Sequence, residues 1–241
     1  MRLSRLSWPE VRRLLTNDAR LILPVGALDH HRPHLPLSAN TLIAECVALD
    51  LSSRLQLVVA PTFHYGLTKP DWAPDPGTGT LRRKTFHRAI NELLSSWDDH
   101  GIDEVVIVSA QRHEPHIEAL LTALTENAPT EIVDPMTIDV ADLVDGLPEE
   151  KRGGELETSL LLFLAPELVR MDEAVYFLPH SQSSEKYVEG RVTTPPPGFQ
   201  SVVGRPTLAT AEKGAAVYHR YITTLEEALA RPSPSASPEG C

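Results

Sequence analysis

Short apolar runs separated by segments with helical spacing are the feature that most limits the folds open to this chain. The runs span residues 21–25, 57–60 and 105–108, with a weaker fourth at 131–133. The intervening segments with apolar side chains three or four positions apart span residues 38–55, 86–100 and 117–126. Because buried strands that alternate with helices form a mainly parallel sheet covered by helices, we predict an α/β fold in a single compact domain over residues 1–230.

Composition narrows the class of protein further. The chain has 241 residues, 41% of them hydrophobic, and a formal net charge of −11, which disfavours nucleic acids and anionic membranes as partners. No apolar stretch approaches the roughly 20 residues that span a bilayer, and the first residues lack an apolar signal core. Only Cys46 and Cys241 occur, so no disulfide framework is expected. We predict a cytoplasmic protein with a disordered Pro/Ser-rich tail over residues 231–241.

Two polar clusters follow strands of the predicted sheet. Asp29, His30, His31 and His34 come directly after the first run, and the segment 111–116 follows the third. Ligands of parallel α/β proteins bind beyond the carboxyl ends of the strands, so the two clusters are predicted to share one site. Imidazole and carboxylate are the ligand set of Zn²⁺, Mn²⁺ and Fe²⁺, so this site is a candidate metal centre.

Several of these histidines have simpler interpretations. His30 is interpreted as a pocket or surface residue, and His34 as a residue that hydrogen-bonds the backbone of its own turn. His116 lies where a helix is predicted to begin, so it is interpreted as a solvated or capping side chain. These interpretations leave His31 and His113 as the stronger candidates for metal ligands.

Five landmarks occur in a fixed order along nearly the whole chain. They are the run 23–26 followed by His31 and 33–37; Tyr65-Gly66 with 76–78 and Leu81; the strand 101–108; the segments 154–160 and 166–169; and Gly204, 206–207 and 209–214. Together they resemble the creatininase (creatinine amidohydrolase) family. The resemblance implies a compact α/β domain, a homo-oligomer, and a site for one or two divalent metals. It also implies hydrolysis of a linear or cyclic amide C–N bond in a small-molecule substrate by a metal-bound hydroxide.

The chain departs from this family at the metal ligands themselves. The resemblance places Asn40 where the family has a bridging Asp, and Gln111 where it has a metal-binding His. A neutral amide brings no charge and is a weak ligand, so a two-metal centre is not expected. Asp29 and His113 each stand where the family has Glu. We predict a single Zn²⁺, Fe²⁺ or Mn²⁺ held by Asp29, His31 and His113, with Asn40 and Gln111 beside it.

The resemblance also suggests the remaining roles. Glu155 and Glu157 are two positions apart and therefore point to different helix faces, so either could be the general base. Arg152 replaces a catalytic His of the family, and Arg32 replaces a Gly. The candidate catalytic residues are Glu155, Glu157 and Arg152, and the candidate substrate-binding residues are Arg32, His34, Trp72 and Thr78.

Three functions stay open at this stage. The favoured one is a one-metal hydrolase of an amide C–N bond. The second is a metal-independent family member, such as a lyase, cyclase or amide-forming enzyme of a biosynthetic pathway. It would use Asp29, His31 and His113 as acid–base groups, with Arg32 and Arg152 holding an anionic substrate. The third is a non-catalytic homologue that binds a ligand or a partner subunit.

Overall fold

A computed structural model describes residues 1–68, 76–123, 129–146, 153–175 and 204–230 of the chain. The predicted tail, Trp72 and Arg152 lie outside these residues. The described strands are β1 (Arg20–Val25), β2 (Val58–Val59), β3 (Glu104–Ser109) and β4 (Thr130–Val133). The described α-helices are α1 (Trp8–Asn17), α2 (Ala39–Leu55), α3 (Arg83–Asp98), α4 (Glu114–Ala123), α5 (Glu155–Leu164) and α6 (Ala211–Leu229).

The four strands form one parallel sheet in the order β2–β1–β3–β4. β1 pairs with β2 on one side and with β3 on the other. Leu21 is opposite Val58 of β2, and Leu23 is opposite Ile107 of β3. All four of these residues are fully or nearly fully buried, as expected for a parallel sheet covered on both faces. The predicted α/β class and parallel sheet are therefore confirmed.

Alternate side chains of the strands enter two separate hydrophobic cores. Ile22 and Val106 pack with residues of α2, α5 and α6 on one face of the sheet. Leu21, Leu23 and Val105 pack with residues of α3 and α4 on the other. This alternation follows from the period of two in a strand, and it explains why these runs are continuously apolar.

Helix ends agree with the local sequence signals in most places. Ser7 precedes α1, and its N–H donates to Glu10 Oε2 over 2.7 Å, which closes a capping box. α4 begins at Glu114 rather than near Ile117, because Pro115 is tolerated in the first helical turn. Within the described residues, no helix combines the length and apolar character that crossing a bilayer would require.

Candidate active site

The candidate site lies at the carboxyl edge of the sheet. Asp29 follows β1, Leu67 follows β2, and Gln111 follows β3. The first turns of α2 and α5 add Asn40 and Glu157. The two polar clusters expected to share a site are brought into direct contact here, since Gln111 hydrogen-bonds Asp29.

A chain of hydrogen bonds, which we call the amide bridge, joins Asp29, Gln111 and Asn40. Gln111 Nε2 donates to Asp29 Oδ2 over 3.1 Å and to the Leu67 carbonyl over 3.1 Å. Asn40 Nδ2 donates to Gln111 Oε1 over 2.8 Å. All three side chains are at most 2% exposed. Gln111 thus links Asn40 to the Asp29 carboxylate, whereas no hydrogen-bond partner for Asn40 Oδ1 is found among the described residues.

The donors in this region do not fit a divalent metal centre. Across the described part of the chain, no group of three or more His, Cys, Asp or Glu side chains comes together in a way that could hold a metal ion. In the amide bridge the Gln111 carbonyl oxygen already accepts a hydrogen bond, and its NH₂ group cannot ligate a cation. The expected one-metal group of Asp29, His31 and His113 is not assembled by the described residues.

His31 and Glu157 form a buried pair next to the amide bridge. His31 Nδ1 lies 3.3 Å from Glu157 Oε2, and the two residues are 1% and 5% exposed. Glu157 Oε2 also accepts the Gly153 N–H over 2.6 Å, so the carboxylate is held in place. No hydrogen-bond partner for His31 Nε2 is found among the described residues. When Nδ1–H donates to the carboxylate, Nε2 is left as a basic lone pair.

Glu155 faces away from this pair. Its Oε1 accepts hydrogen bonds from the Lys213 ammonium and from the Asp145 N–H, the latter over 3.2 Å. Lys213 also contacts Asp145 Oδ2 over 2.7 Å and the Leu208 carbonyl over 2.9 Å. Glu155 thus joins the start of α5 to the start of α6, whereas Glu157 contacts His31.

Arg32 has a backbone conformation that explains the glycine of the family. Its φ is +83°, in the left-handed region that favours glycine, and its side chain is buried at 5% exposure. Non-glycine residues in this region carry strain, and such strain is concentrated at functional sites. The replacement therefore places a guanidinium inside the site at a conformational cost.

Two of the other predicted substrate-binding residues, His34 and Thr78, lie within the described part of the chain. His34 is fully buried, and its Nε2 lies 3.0 Å from the Thr158 hydroxyl oxygen rather than within its own turn. Thr78 is half-buried in the loop paired to Leu28 through Gly79, and His113 is half-buried after β3. Trp72 and Arg152 stay predictions, because they lie outside the described residues.

The interpretation of His116 as a solvated or capping residue is wrong. Its ring is fully buried, stacks on Phe86 with ring centroids 4.8 Å apart, and accepts the Leu67 N–H over 3.1 Å at Nδ1. Because α4 begins three residues earlier than predicted, His116 lies within its first turn and points at the sheet. Its i, i+3 and i+4 spacing to Ala119 and Leu120, both buried, was the available signal.

A cavity of about 210 Å³ opens beside the site. Its lining is mostly apolar, with charged groups from Arg112, Asp139 and Glu155. Arg112 directly follows Gln111, and Glu155 lies two residues before Glu157 on α5. The cavity is therefore adjacent in sequence to both halves of the site.

Acid is expected to destabilise the protein through His116 and His34. Burial lowers the pKa of His116 to about 3 and that of His34 to about 4, from an ordinary 6.5. Below pH 6.5 the two histidines become protonated in the unfolded chain but stay neutral in the folded chain. The free energy of unfolding therefore falls as pH falls. The expected loss by pH 5 is about 2 kcal/mol for each histidine.

Urea denaturation at pH 7.5, 6.5, 5.5 and 5.0 measures this dependence. The variant His116→Asn removes one titrating ring and should lose about half of the slope between pH 6.5 and 5. An unchanged slope in the variant would contradict the assignment of the effect to His116.

The fold and the site together define an α/β protein with buried acid–base groups at the carboxyl edge of a parallel sheet. A sequence model of the creatininase family, described as creatinine amidohydrolase, matches residues 4–229. The chain therefore belongs to the creatininase family, as its landmarks predicted.

Relatives with assigned activities resemble the chain over most of their length. Creatinine amidohydrolase of Pseudomonas putida is 26% identical, covering 93% of this chain and 94% of the relative. A mycofactocin precursor peptide peptidase of Mycolicibacterium smegmatis is 27% identical, covering 92% and 89%. A creatininase mutant complexed with creatine shares the fold with a TM-score of 0.77 at 23% identity, covering 94% and 96%. Solved creatininases include a manganese form and a Zn–Zn form, whereas the homo-oligomer and cytoplasmic location stay predictions for this chain.

Proposed function

We propose that this chain hydrolyses an amide C–N bond of a small molecule, with His31 as general base and Glu157 as the group that orients it. The observation that carries the proposal is the buried His31–Glu157 pair, 3.3 Å apart, with Nε2 of the ring uncommitted among the described residues. Membership of the family supports the reaction class. Amidohydrolase and peptidase, the names of two relatives, both denote hydrolysis of amide bonds.

The reaction follows from the tautomer that Glu157 selects. His31 Nε2 removes a proton from a water molecule as the water oxygen bonds to the amide carbonyl carbon. The resulting tetrahedral oxyanion collapses by breaking the C–N bond, and the imidazolium returns its proton to the leaving nitrogen. The products are a carboxylic acid and an amine. Glu157 stabilises the imidazolium while it carries the proton.

Arg32 supplies the positive charge that the developing oxyanion needs. Its buried side chain is close enough to His34 for its charge to contribute, after burial, to lowering the pKa of that ring. A charge acting in a water-excluded site stabilises a transition-state oxyanion more strongly than it would in water. The same guanidinium could hold a substrate carboxylate in the ground state.

No step of this reaction is assigned to a metal ion. The amide bridge and the donor set described above do not fit a divalent centre, so we propose metal-independent chemistry. The single-ion centre of Asp29, His31 and His113 is the competing hypothesis. A divalent ion there would act by polarising the substrate carbonyl and lowering the pKa of a bound water.

One set of assays separates these hypotheses. Chelator-treated protein and protein loaded with Zn²⁺, Mn²⁺ or Fe²⁺ are each incubated with creatinine, a linear N-acyl amide and a short peptide, and products are followed by NMR. We expect turnover of at least one amide at similar rates in both forms. Strict dependence on added metal would overturn the metal-independent chemistry alone, whereas no turnover by any form would overturn the hydrolase assignment.

A matched variant provides the metal control. Asn40→Asp with Gln111→His restores the carboxylate and imidazole that the family resemblance implies at these positions. Elemental analysis should find about one divalent ion or more per chain in this double variant and far less in the parent protein. Equal metal content in both would contradict the role given to the amide bridge.

A further inference from the structure

We propose that His116 is a positioning residue that fixes the orientation of the Gln111 side chain. It does so through two arms, one reaching the Gln111 backbone and the other its side-chain amide. The inference concerns the same site as the proposed function, but its test needs no substrate. It therefore holds or fails independently of the hydrolase assignment.

The first arm runs through the backbone of Leu67, from its N–H to its carbonyl. The Leu67 N–H donates to His116 Nδ1 over 3.1 Å, and the Leu67 carbonyl accepts from Gln111 Nε2 over 3.1 Å. The ring therefore holds the residue whose carbonyl receives the Gln111 amide. All of these contacts are buried, where hydrogen bonds are strong and an unmade one is costly.

The second arm runs through the Ser109 hydroxyl. Because Nδ1 of His116 accepts a hydrogen bond, the proton of the neutral ring is on Nε2, which lies 3.2 Å from Ser109 Oγ. Ser109 Oγ in turn accepts the Gln111 N–H over 3.4 Å. One imidazole thus contacts Gln111 indirectly at both its backbone and its side chain.

The surroundings of the ring leave little freedom for it to move. Phe86 stacks on one side, and Gly66 approaches so closely that an added Cβ would lie 2.5 Å from His116 Cε1. The same Cβ would lie 2.5 Å from the Gly26 carbonyl oxygen. Only glycine permits this approach, so the loop after β2 is built around the His116 ring.

The consequence is a single orientation for the Gln111 amide. Two acceptors, Asp29 Oδ2 and the Leu67 carbonyl, face its NH₂ group, while the Asn40 NH₂ group faces its oxygen. A flipped amide would place its oxygen against both acceptors. Removing the His116 contact loosens the backbone of Leu67, whose carbonyl is one of the two acceptors that select this orientation.

Exchange of the Gln111 side-chain amide protons with solvent tests the proposal. The resonances are recorded by ¹H–¹⁵N NMR and assigned by their loss in Gln111→Met. His116→Gln has no acceptor at the Nδ1 position and should speed exchange at least about tenfold, because a buried hydrogen bond is worth about 1.4 kcal/mol or more. His116→Asn places its Oδ1 where Nδ1 lies and should stay within about threefold of the parent protein.

Phe86→Leu is the control for a merely structural role. It destabilises the same core without removing either arm, so Gln111 exchange should be unchanged when free energies of unfolding are matched by urea titration. Equal acceleration in Phe86→Leu and His116→Gln would overturn the proposal. So would unchanged exchange in His116→Gln, or a failure of His116→Asn to preserve the parent behaviour. Ser109→Ala removes only the backbone arm, which His116→Asn also lacks, so its exchange rate should likewise stay within about threefold of the parent protein.

Discussion

Replacing His31 by Gln is expected to lower kcat for amide hydrolysis by about 10²- to 10⁴-fold, with KM changed by less than about threefold. The proton acceptor is lost, whereas Arg32, which we propose as a group that could hold the substrate, is unchanged. Because His31 is 1% exposed and paired to Glu157, the variant must first be shown to fold by circular dichroism. Steady-state rates on the amide identified by the substrate panel then provide the measurement.

Two further variants test whether that loss of kcat comes from the removal of His31 as the base. Glu157→Gln keeps the shape of the orienting side chain but removes its charge, so kcat should fall by a smaller factor, about 10- to 10²-fold. His30→Gln alters the half-buried neighbour of His31, which has no assigned role, and should leave kcat within about threefold. A loss of kcat in His30→Gln comparable to that in His31→Gln would contradict the assignment of His31 as the base.

Replacing Gly214 by Ala is expected to destabilise the protein by about 3 kcal/mol or more, by overpacking. A Cβ added there would lie 1.9 Å from the Ser159 carbonyl oxygen and 2.5 Å from its carbon, both of which are backbone atoms of α5. Helix propensity alone would predict the opposite sign, because Ala is favoured over Gly by about 1 kcal/mol inside a helix. Urea denaturation measures which effect wins.

Ala216→Gly is the matched control on the same helix. Ala216 is exposed on α6, so its replacement should cost about 1 kcal/mol through propensity alone. If Gly214→Ala were as stable as the parent protein, the close approach of α5 and α6 would be refuted. This contact also matters for the site, because α5 carries Glu157 in its first turn.

Local sequence signals were sufficient for most of the fold. β3 lies at Glu104–Ser109, around the apolar run identified at 105–108, since a bounded run of β-branched residues has few alternatives. The helix predicted over 117–126 begins three residues earlier, at Glu114, because Pro115 is tolerated in the first helical turn. That single displacement produced the error on His116, whose burial depends on the helix phase.

The chemistry of the site was only partly predictable. The resemblance singled out Asn40 and Gln111 as positions where the family has metal ligands, which stays a prediction, but their hydrogen bond to each other joins residues 71 positions apart. The left-handed conformation of Arg32 was also not predicted, although the glycine expected there indicates it in retrospect. Contacts between distant segments depend on how the edge of the sheet brings loops together. No local sequence pattern predicts which side chains of those loops will be in contact.

By itself, the sequence determined the α/β class, the family, and the edge of the sheet at which the polar residues meet. These follow from the local periodicity of apolar residues and from the order of the landmarks along the chain. Neither requires knowing which distant segments pack together. Only the tertiary structure showed that Glu155 and Glu157 have different partners. Lys213, 58 positions along the chain, pairs with the first of them, and His31, 126 positions away, pairs with the second. A buried carboxylate takes its role from the partner that packing supplies, and that partner comes from another part of the chain.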